Sequence, residues 1–365
     1  MNILYSVMAD GWGGLEKYPL TIYEELLKKG NNIYILTVNG SRLHQECMKR
    51  GIKVFVVDKI KKIDLKTIKY IKKLILELKI DVIHSNTTRE LYNFYFALIG
   101  NKNIKYFITY HIGVPNHKEI LHKILYKRVN KIIAINSREK NLMLENIPIL
   151  NNKIELLYNG VDLKRFDRKK VELKNIREQF GIPEQGLLIT GIGNLSDGKG
   201  ISEFIDAAKI ICDKYKNIYF LWIGEATYTK NKKALEEAKE TIKNYEIDKN
   251  VYMAGYRNDI PEILKESDIF TLPAYGESFG IVYIEAMAME LPVIGCNSGG
   301  VPELIKDGKN GFLAEPRSAK SLANQFEKYI KNSELIKKHG KIGKEISERF
   351  SMKSHVEKLI KIYEG

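Results

Sequence analysis

The chain has 365 residues, 44% hydrophobic and 28% charged, which suits two globular domains of ordinary size and excludes a disordered or fibrous chain. The net charge of +14 is unevenly placed: residues 1–162 hold 26 Lys and Arg against 15 Asp and Glu, whereas residues 163–365 hold 33 against 30. Three widely spaced cysteines (Cys47, Cys212, Cys296) exclude a disulfide framework and a thiolate metal site, and no apolar run approaches the ~20 residues that span a bilayer.

The N-terminus lacks a charged segment followed by a long apolar run, so no secretory leader is expected and the chain reads as cytoplasmic. From residue 2 onward, short β-rich runs at 2–8, 32–38, 53–57, 81–85, 104–110 and 131–135 alternate with helical patterns at 14–29, 64–79, 88–99, 117–129 and 137–145. That alternation predicts a parallel sheet with helices on both faces. Within it, Ile60, Ile63, Ile68, Ile71, Ile75 and Leu78 recur at helical spacing among lysines, the pattern of a helix that covers the sheet and leaves its lysines in solvent. Residues 116–131 carry His117, Lys118, Leu121, His122, Lys123, Ile124, Leu125, Tyr126, Lys127, Arg128 and Lys131. Such a basic, partly aromatic stretch suits an anionic bilayer surface at the inner face of the membrane, where the protein would lie without crossing. Genome-wide bias toward Lys, Ile and Asn is the competing explanation for the charge.

A second set of strands is expected at 187–191, 219–223, 251–254, 269–272 and 292–295. The charged stretch 160–186, with Gly160, Gly181, Pro183 and Gly186, is the expected linker. The resulting division is 1–162 as a first domain, 163–350 as a second, and 351–365 as a terminal helix able to pack back on the first domain. Two such Rossmann-like sheets, with ligand sites at the carboxyl ends of their strands, would face one another across a shared cleft.

The densest chemistry lies at Pro273-Ala274-Tyr275-Gly276-Glu277-Ser278-Phe279-Gly280-Ile281, continuing to Glu285. A strand ends, a glycine loop carries Glu277, and a helix begins near Phe279. Unpaired N–H groups at a helix start suit a diphosphate, and each carboxylate can accept hydrogen bonds from two hydroxyls of a sugar or ribose. A charge that merely complements the helix dipole is the plainer reading of Glu277. A second glycine turn, Gly191-Ile192-Gly193-Asn194-Leu195-Ser196-Asp197-Gly198-Lys199-Gly200, offers close backbone approach to phosphate and a cation in Lys199. Arg257 is a candidate second cation. The turn Gly11-Trp12-Gly13-Gly14 follows the first strand but lacks the dinucleotide G-x-G-x-x-G spacing. His84 and His111 each stand at or just after the carboxyl end of an expected strand, and no Asp-x-Asp occurs.

Glu277 and Glu285 eight residues apart, followed by Pro292-Val293 and Gly299-Gly300-Val301-Pro302-Glu303, resemble the signature of glycosyltransferase family 4, retaining enzymes of the GT-B fold. The resemblance runs over essentially the whole chain and is strongest from 187 to 315. It implies that Glu277 contacts the transferred sugar and Glu285 the ribose. Backbone amides around Ser278, Phe279, Gly280 and Ile281 would hold the diphosphate, and Lys199 would neutralise it. The resemblance makes 1–162 the acceptor-side domain and 163–350 the nucleotide-sugar-binding domain; Gly13 and Gly14 match the family's glycine pair, His111 would be the histidine that reaches the donor sugar, and Trp12 and His84 are acceptor-side candidates. The family's usual arginine is replaced by Asn194, which leaves the leaving-group charge to Lys199 with help from Arg257. No metal and no cofactor are implied beyond a nucleotide diphosphate sugar as co-substrate, with a UDP-sugar favoured.

The expected reaction is transfer of a hexose or N-acetylhexosamine to a cell-envelope glycan or lipid-linked acceptor. A GT-B nucleotide-sugar epimerase or hydrolase would share the donor site. A non-catalytic nucleotide-sugar-binding protein is a further alternative, since Asn194 lacks the expected charge. A basic nucleic-acid-binding protein would account for the net charge, yet no binding module or cluster of stacking aromatics accompanies it, and no nucleic acid is expected as a partner.

Overall fold

A computed structural model describes residues 1–11, 14–58, 61–87, 89–111, 113–225 and 232–365. The chain forms two compact units, Met1–Gly160 together with Met352–Gly365, and Val161–Ser351.

The first unit is built on a parallel sheet of β1 (Asn2–Val7), β2 (Asn32–Val38), β3 (Val54–Val57), β4 (Val82–Ser85), β5 (Lys105–Tyr110), β6 (Lys131–Ala134) and β7 (Ile154–Leu156). Their order is β3-β2-β1-β4-β5-β6-β7. A parallel sheet is covered on both faces, so its strands read as continuous apolar runs. In β1, Leu4 packs into one layer while Ile3, Tyr5 and Val7 pack into the other. That second layer includes Met352, Val356, Leu359 and Tyr363 of the terminal helix Met352–Glu364, which is therefore core to this unit. Gly160 permits the approach: a Cβ there would lie 2.7 Å from that of His355. The Lys105 ammonium donates to the carbonyls of Tyr363 and Glu364 at 2.8 and 2.7 Å, meeting the helix's unpaired last carbonyls.

Two elements of this unit were not expected. Strand β7 has three residues, too few for a periodic signal. The helix Arg42–Lys49 buries only Leu43 and Cys47, and its legible mark is Ser41, whose hydroxyl caps the His44 N–H.

The second unit repeats the architecture with β8 (Leu187–Ile192), β9 (Ile218–Ile223), β10 (Val251–Met253), β11 (Ile269–Leu272), β12 (Val293–Cys296) and β13 (Gly311–Ala314). All pair in parallel, in the order β10-β9-β8-β11-β12-β13. Strand β13 escaped the sequence reading because it opens on a glycine, whose presence is steric: a Cβ at Gly311 would lie 2.0 Å from the Val293 carbonyl oxygen.

Residues 161–186 are not a linker. Ile176 and Ile182 are buried against Leu188 and Leu221, and the Arg177 guanidinium donates to the Asp268 carboxylate and the carbonyls of Glu266 and Gly186. A charged stretch with several glycines and a proline is here a packed flap of the second unit, held by an arginine that the composition counts only as charge. Among the described residues no helix is long and apolar enough to cross a membrane.

Candidate functional site

Both sheets change direction of growth beside their first strand, between β1 and β4 and between β8 and β11. In doubly wound sheets the crevice outside the carboxyl ends at such a point is where ligands bind. Each unit places its chemistry there.

In the second unit, β8 is followed by a turn of 3₁₀ helix, Asp197–Lys199, and by Gly200 in the left-handed region at φ 73°. A Cβ at Gly200 would lie 2.2 Å from the Pro273 carbonyl oxygen, just past β11. The Tyr275 N–H donates to the Gly198 carbonyl at 3.1 Å, so the two loops are bonded side by side. The Lys199 ammonium thereby reaches the Glu277 carboxylate, Nζ to Oε2 at 2.6 Å, with both side chains part-exposed. Glu277 is held from its other side as well. The Gly300 N–H donates to its carbonyl at 2.9 Å, and the Gly276 N–H donates to the Ser298 hydroxyl at 3.2 Å. Gly299, at φ 62°, leaves no room for a side chain, whose Cβ would lie 2.1 Å from the Glu277 oxygen.

The helix Ile281–Ala288 begins after Gly280, which is left-handed at φ 82° beneath the Tyr283 ring. Its first N–H groups have no partner within the helix. Half-buried Ser278 and buried Phe279 precede it, and the Phe279 ring packs edge-on to Phe350 at 5.8 Å. Only the backbone of Phe279 is thus left for a ligand. Glu285 follows in the second turn, half-buried.

Three expectations change. Gly191 lies within β8, where a Cβ would meet the Trp222 ring at 2.6 Å; its lack of a side chain serves the buried tryptophan. Arg257 is a fork clamped on Asp259, Nε to Oδ1 at 2.9 Å and Nη2 to Oδ2 at 2.6 Å, so its charge is already matched. Asn194 accepts at Oδ1 from the Ser196 hydroxyl at 2.7 Å.

In the first unit, His84 is buried, with Nδ1 2.6 Å from the Tyr363 hydroxyl and Nε2 2.7 Å from the Thr109 hydroxyl. Both ring nitrogens are spent on joining the sheet to the terminal helix, which removes His84 from the acceptor-side candidates. His355 makes a second join. Its Nδ1 lies 2.7 Å from the Tyr158 carbonyl and must donate, so Nε2 accepts from the Tyr18 hydroxyl at 2.5 Å. Burial, partly opposed by that carbonyl, lowers its pKa to about 4.

His111 follows β5 and is half-buried, with Nε2 3.0 Å from Asn86 Oδ1. Burial, and then His355, lower its pKa to about 3. Gly14 begins the helix Gly14–Lys28 after β1, whereas Trp12 and Gly13 lie outside the described residues, as does Ile60 of the lysine-rich stretch.

Glu90, not singled out from the sequence, is fully buried beside this network. Its Oε1 accepts from the Met8 N–H at 2.8 Å and from the Thr87 hydroxyl at 2.7 Å, and Oε2 has no hydrogen-bond partner. Burial raises its pKa to about 7. Thr87 three residues before Glu90 at a helix start was the available signal.

Two family descriptions match the chain: Glycosyltransferase Family 4 over residues 12–165 and Glycosyl transferases group 1 over residues 173–346. The chain belongs to the group 1 glycosyltransferases of GT-B type. It is 27% identical over 363 residues to the capsular polysaccharide biosynthesis glycosyltransferase CapM of Staphylococcus aureus, covering 93% of this chain and 91% of that protein. It is 28% identical over 215 residues to the N-acetyl-alpha-D-glucosaminyl L-malate synthase of Bacillus anthracis. That second match covers 59% of this chain and only 53% of the synthase. A glycosyltransferase crystal structure from Rickettsia africae superposes with a TM-score of 0.90 at 26% identity, covering 100% of this chain and 97% of that one. The Anabaena protein HepE, solved with UDP and glucose, superposes at 0.84 and 20% identity, covering 100% and 99%, and so shares the fold.

Proposed function

We propose that this glycosyltransferase moves a hexose or N-acetylhexosamine from a UDP-sugar to a cell-envelope glycan or lipid-linked acceptor, with retention at the anomeric carbon. The observation that carries the reading is the Lys199–Glu277 pair at the β8/β11 switch point, held by three glycines that tolerate no side chain. With donor bound, the ammonium turns to the diphosphate and the carboxylate accepts from sugar hydroxyls, each exchanging one charged partner for another. Glu285 takes the ribose. The Asn194 amide N–H groups and the first N–H groups of the helix Ile281–Ala288 add donors where an arginine is missing. The acceptor hydroxyl attacks C1 from the face the diphosphate leaves; the C1–O bond to phosphate breaks as the new C1–O bond forms, and the hydroxyl proton passes to a phosphate oxygen. No metal enters this scheme. The CapM relative and the HepE complex support the choice of acceptor class and of UDP.

The test is a thermal-shift screen of UDP, GDP and ADP sugars, followed by transfer to envelope extracts. Glu277→Gln keeps the shape and loses the charge; a lost charge-assisted contact is worth about 2–3 kcal/mol, or about 30- to 150-fold in kcat/KM. Full activity in this variant, with UDP-sugar binding intact, would defeat the assignment.

A membrane-surface role has its own support. The helix Ile120–Lys127 buries His122, Leu125 and Tyr126 but leaves Ile120, Leu121 and Ile124 exposed at 77, 50 and 44%, flanked by exposed Lys118, Lys123 and Lys127. Scattered exposed apolar residues are ordinary, whereas three on one helical turn among lysines match an interfacial helix. The occupant proposed is the anionic inner face of the cell membrane. Flotation with phosphatidylglycerol vesicles should capture the protein, neutral vesicles should not, and Ile120→Asp with Ile124→Asp should release it. Equal flotation of the double variant refutes the role.

A further inference from the structure

Strand β13 leads through the turn Glu315-Pro316-Arg317-Ser318 into the helix Ala319–Lys331. Arg317 stands there in the left-handed region, at φ 57°. Lys79, Glu246 and Glu290 share that region, but each lies two residues past a helix, where a left-handed residue closes the last turn. Asn175 and Asn217 are of a residue type that tolerates it. Arg317 has neither reason, and after the proline of a turn glycine or asparagine is the usual left-handed residue. The turn is pinned on both sides. The Ser318 hydroxyl accepts from the Ser321 N–H at 3.2 Å, and the Ser321 hydroxyl accepts from the Glu315 N–H at 2.9 Å. Backbone strain of this kind persists where the surroundings over-determine it, and it points to a task for the side chain.

The guanidinium lies over the Tyr275 ring, 4.4 Å from its centroid, as a cation–π contact. Among the described residues no ion pair or hydrogen bond competes for it. Tyr275 is the residue that fastens the Glu277 loop to the Lys199 turn, its N–H donating to the Gly198 carbonyl at 3.1 Å. Lys199 is one residue past that acceptor and Glu277 two past that donor, so their contact at 2.6 Å depends on the register this bond sets. Gly276, at φ 86° and with nothing near its Cα to restrain it, separates Tyr275 from Glu277 and is the most permissive point of the loop. A hold on the half-buried Tyr275 ring therefore falls where the loop has most freedom to lose.

We propose that Arg317 is a positioning residue for this loop: its guanidinium holds the Tyr275 ring and, through Tyr275, keeps Glu277 in register with Lys199. A planar cation suits the task because it stacks flat on an aromatic face. What the clamp does for a donor rests on the proposed transfer, in which Glu277 meets the sugar and Lys199 the diphosphate; the clamp itself does not.

The experiment compares the full-length wild type with Arg317→Gly, Tyr275→Phe, Tyr275→Leu and the double variant of Arg317→Gly with Tyr275→Leu. Hydrogen exchange of peptides covering 273–280 reads the loop without any ligand. Exchange should quicken about three- to tenfold in Arg317→Gly and in Tyr275→Leu, and no further in the double variant. Tyr275→Phe keeps the ring face and should exchange as the wild type does. The melting temperature of Arg317→Gly should stay within about 3 °C of the wild type, because glycine relieves the left-handed strain. Unchanged exchange in Arg317→Gly, or effects that add in the double variant, overturns the proposal, and a larger fall in melting temperature would make the contact merely structural and overturn it too. The same proteins are then titrated with UDP and UDP-glucose. Arg317→Gly should bind UDP-glucose about three- to tenfold more weakly, with Tyr275→Phe again matching the wild type. Wild-type affinity for UDP-glucose in Arg317→Gly, with the loop loosened, overturns the positioning role. If the wild type binds neither ligand, the functional reading fails while the exchange rates still decide the clamp.

Discussion

Glu90→Gln is expected to make the first unit more stable at neutral pH and more sensitive to acid. The carboxyl is fully buried, and burial raises its pKa to about 7 from an ordinary 4.5. The unfolded chain releases this proton near pH 4.5 and the folded chain keeps it to about 7, so Glu90 favours the folded state in acid and disfavours it as pH rises between those values. At 1.36 kcal/mol per pH unit, the full effect is about 3 kcal/mol, of which about 2 falls between pH 5 and 7. His111 and His355 act in the opposite sense. Their folded values, about 3 and about 4, lie below the ordinary 6.5, so each adds stability above 6.5 that is lost as pH falls. Each loss is about 2 kcal/mol by pH 5. His84 and His117 of the same unit are also held below the ordinary value by burial, so Glu90 offsets only part of the histidines' loss, and the variant's fall from pH 7 to 5 should be steeper than the wild type's by about 2 kcal/mol. Glutamine keeps the acceptor used by Met8 and Thr87, and its N–H₂ can meet the Ser6 hydroxyl, which has no hydrogen-bond partner. Hydrogen exchange of peptides from β1 and β4, read as opening free energies at pH 5, 6, 7 and 8, measures the difference. Parallel pH dependences in the two proteins would refute the reasoning.

Gly299→Ala should test the brace behind Glu277. A Cβ 2.1 Å from the Glu277 oxygen must push the loop by about 1 Å, a displacement that can cost about 100-fold in rate, and the left-handed φ adds about 1 kcal/mol of strain. Wild-type kcat/KM in the alanine variant would count against it. Tyr363→Phe removes the hydroxyl 2.6 Å from His84 Nδ1 and leaves a buried ring nitrogen unpaired. A loss of about 1–3 kcal/mol is expected in urea denaturation, with faster exchange in the terminal helix; unchanged protection would show that the join is not structural.

The alternation of strands and helices was legible because both sheets are buried on two faces and leave long apolar runs, as β1 and β11 do. Strand ends matched within a residue or so, and the Glu277 loop and Lys199 turn were legible from glycines flanking charge. What was not legible depends on long-range partners. A guanidinium that gathers the 161–186 flap and one clamped on a neighbouring aspartate look alike in sequence, and only Asp268 and Asp259 distinguish the states of Arg177 and Arg257. His84 and His111 occupy similar places at strand ends, yet Tyr363, 279 residues away in sequence, decides that one is structural. Glycine is ambiguous in the same manner. Gly191 and Gly200 share one motif, but the first makes room for Trp222 and the second for the backbone of Pro273.

The two switch points solve different problems with one topology. In the first unit the residues gathered there (Tyr5, Asn86, His111, Thr109) carry no charge in their folded states, and Glu90 shares its proton with solvent only near pH 7. The lysine excess of that unit lies instead on exposed faces, as at Lys61, Lys66, Lys69, Lys118 and Lys123. Net charge therefore says little about how a diphosphate would be met, because the proposed function gives that task to Lys199 in the nearly balanced second unit. A part-exposed ion pair is worth little to stability and breaks at little cost. Lys199 and Glu277 are thus better read as groups that hold each other in place until a ligand offers both a better partner. On that reading, salt should weaken binding of UDP, because the contact it competes with is a charge meeting a charge at a part-exposed site; an affinity that does not change between low and high salt would count against it.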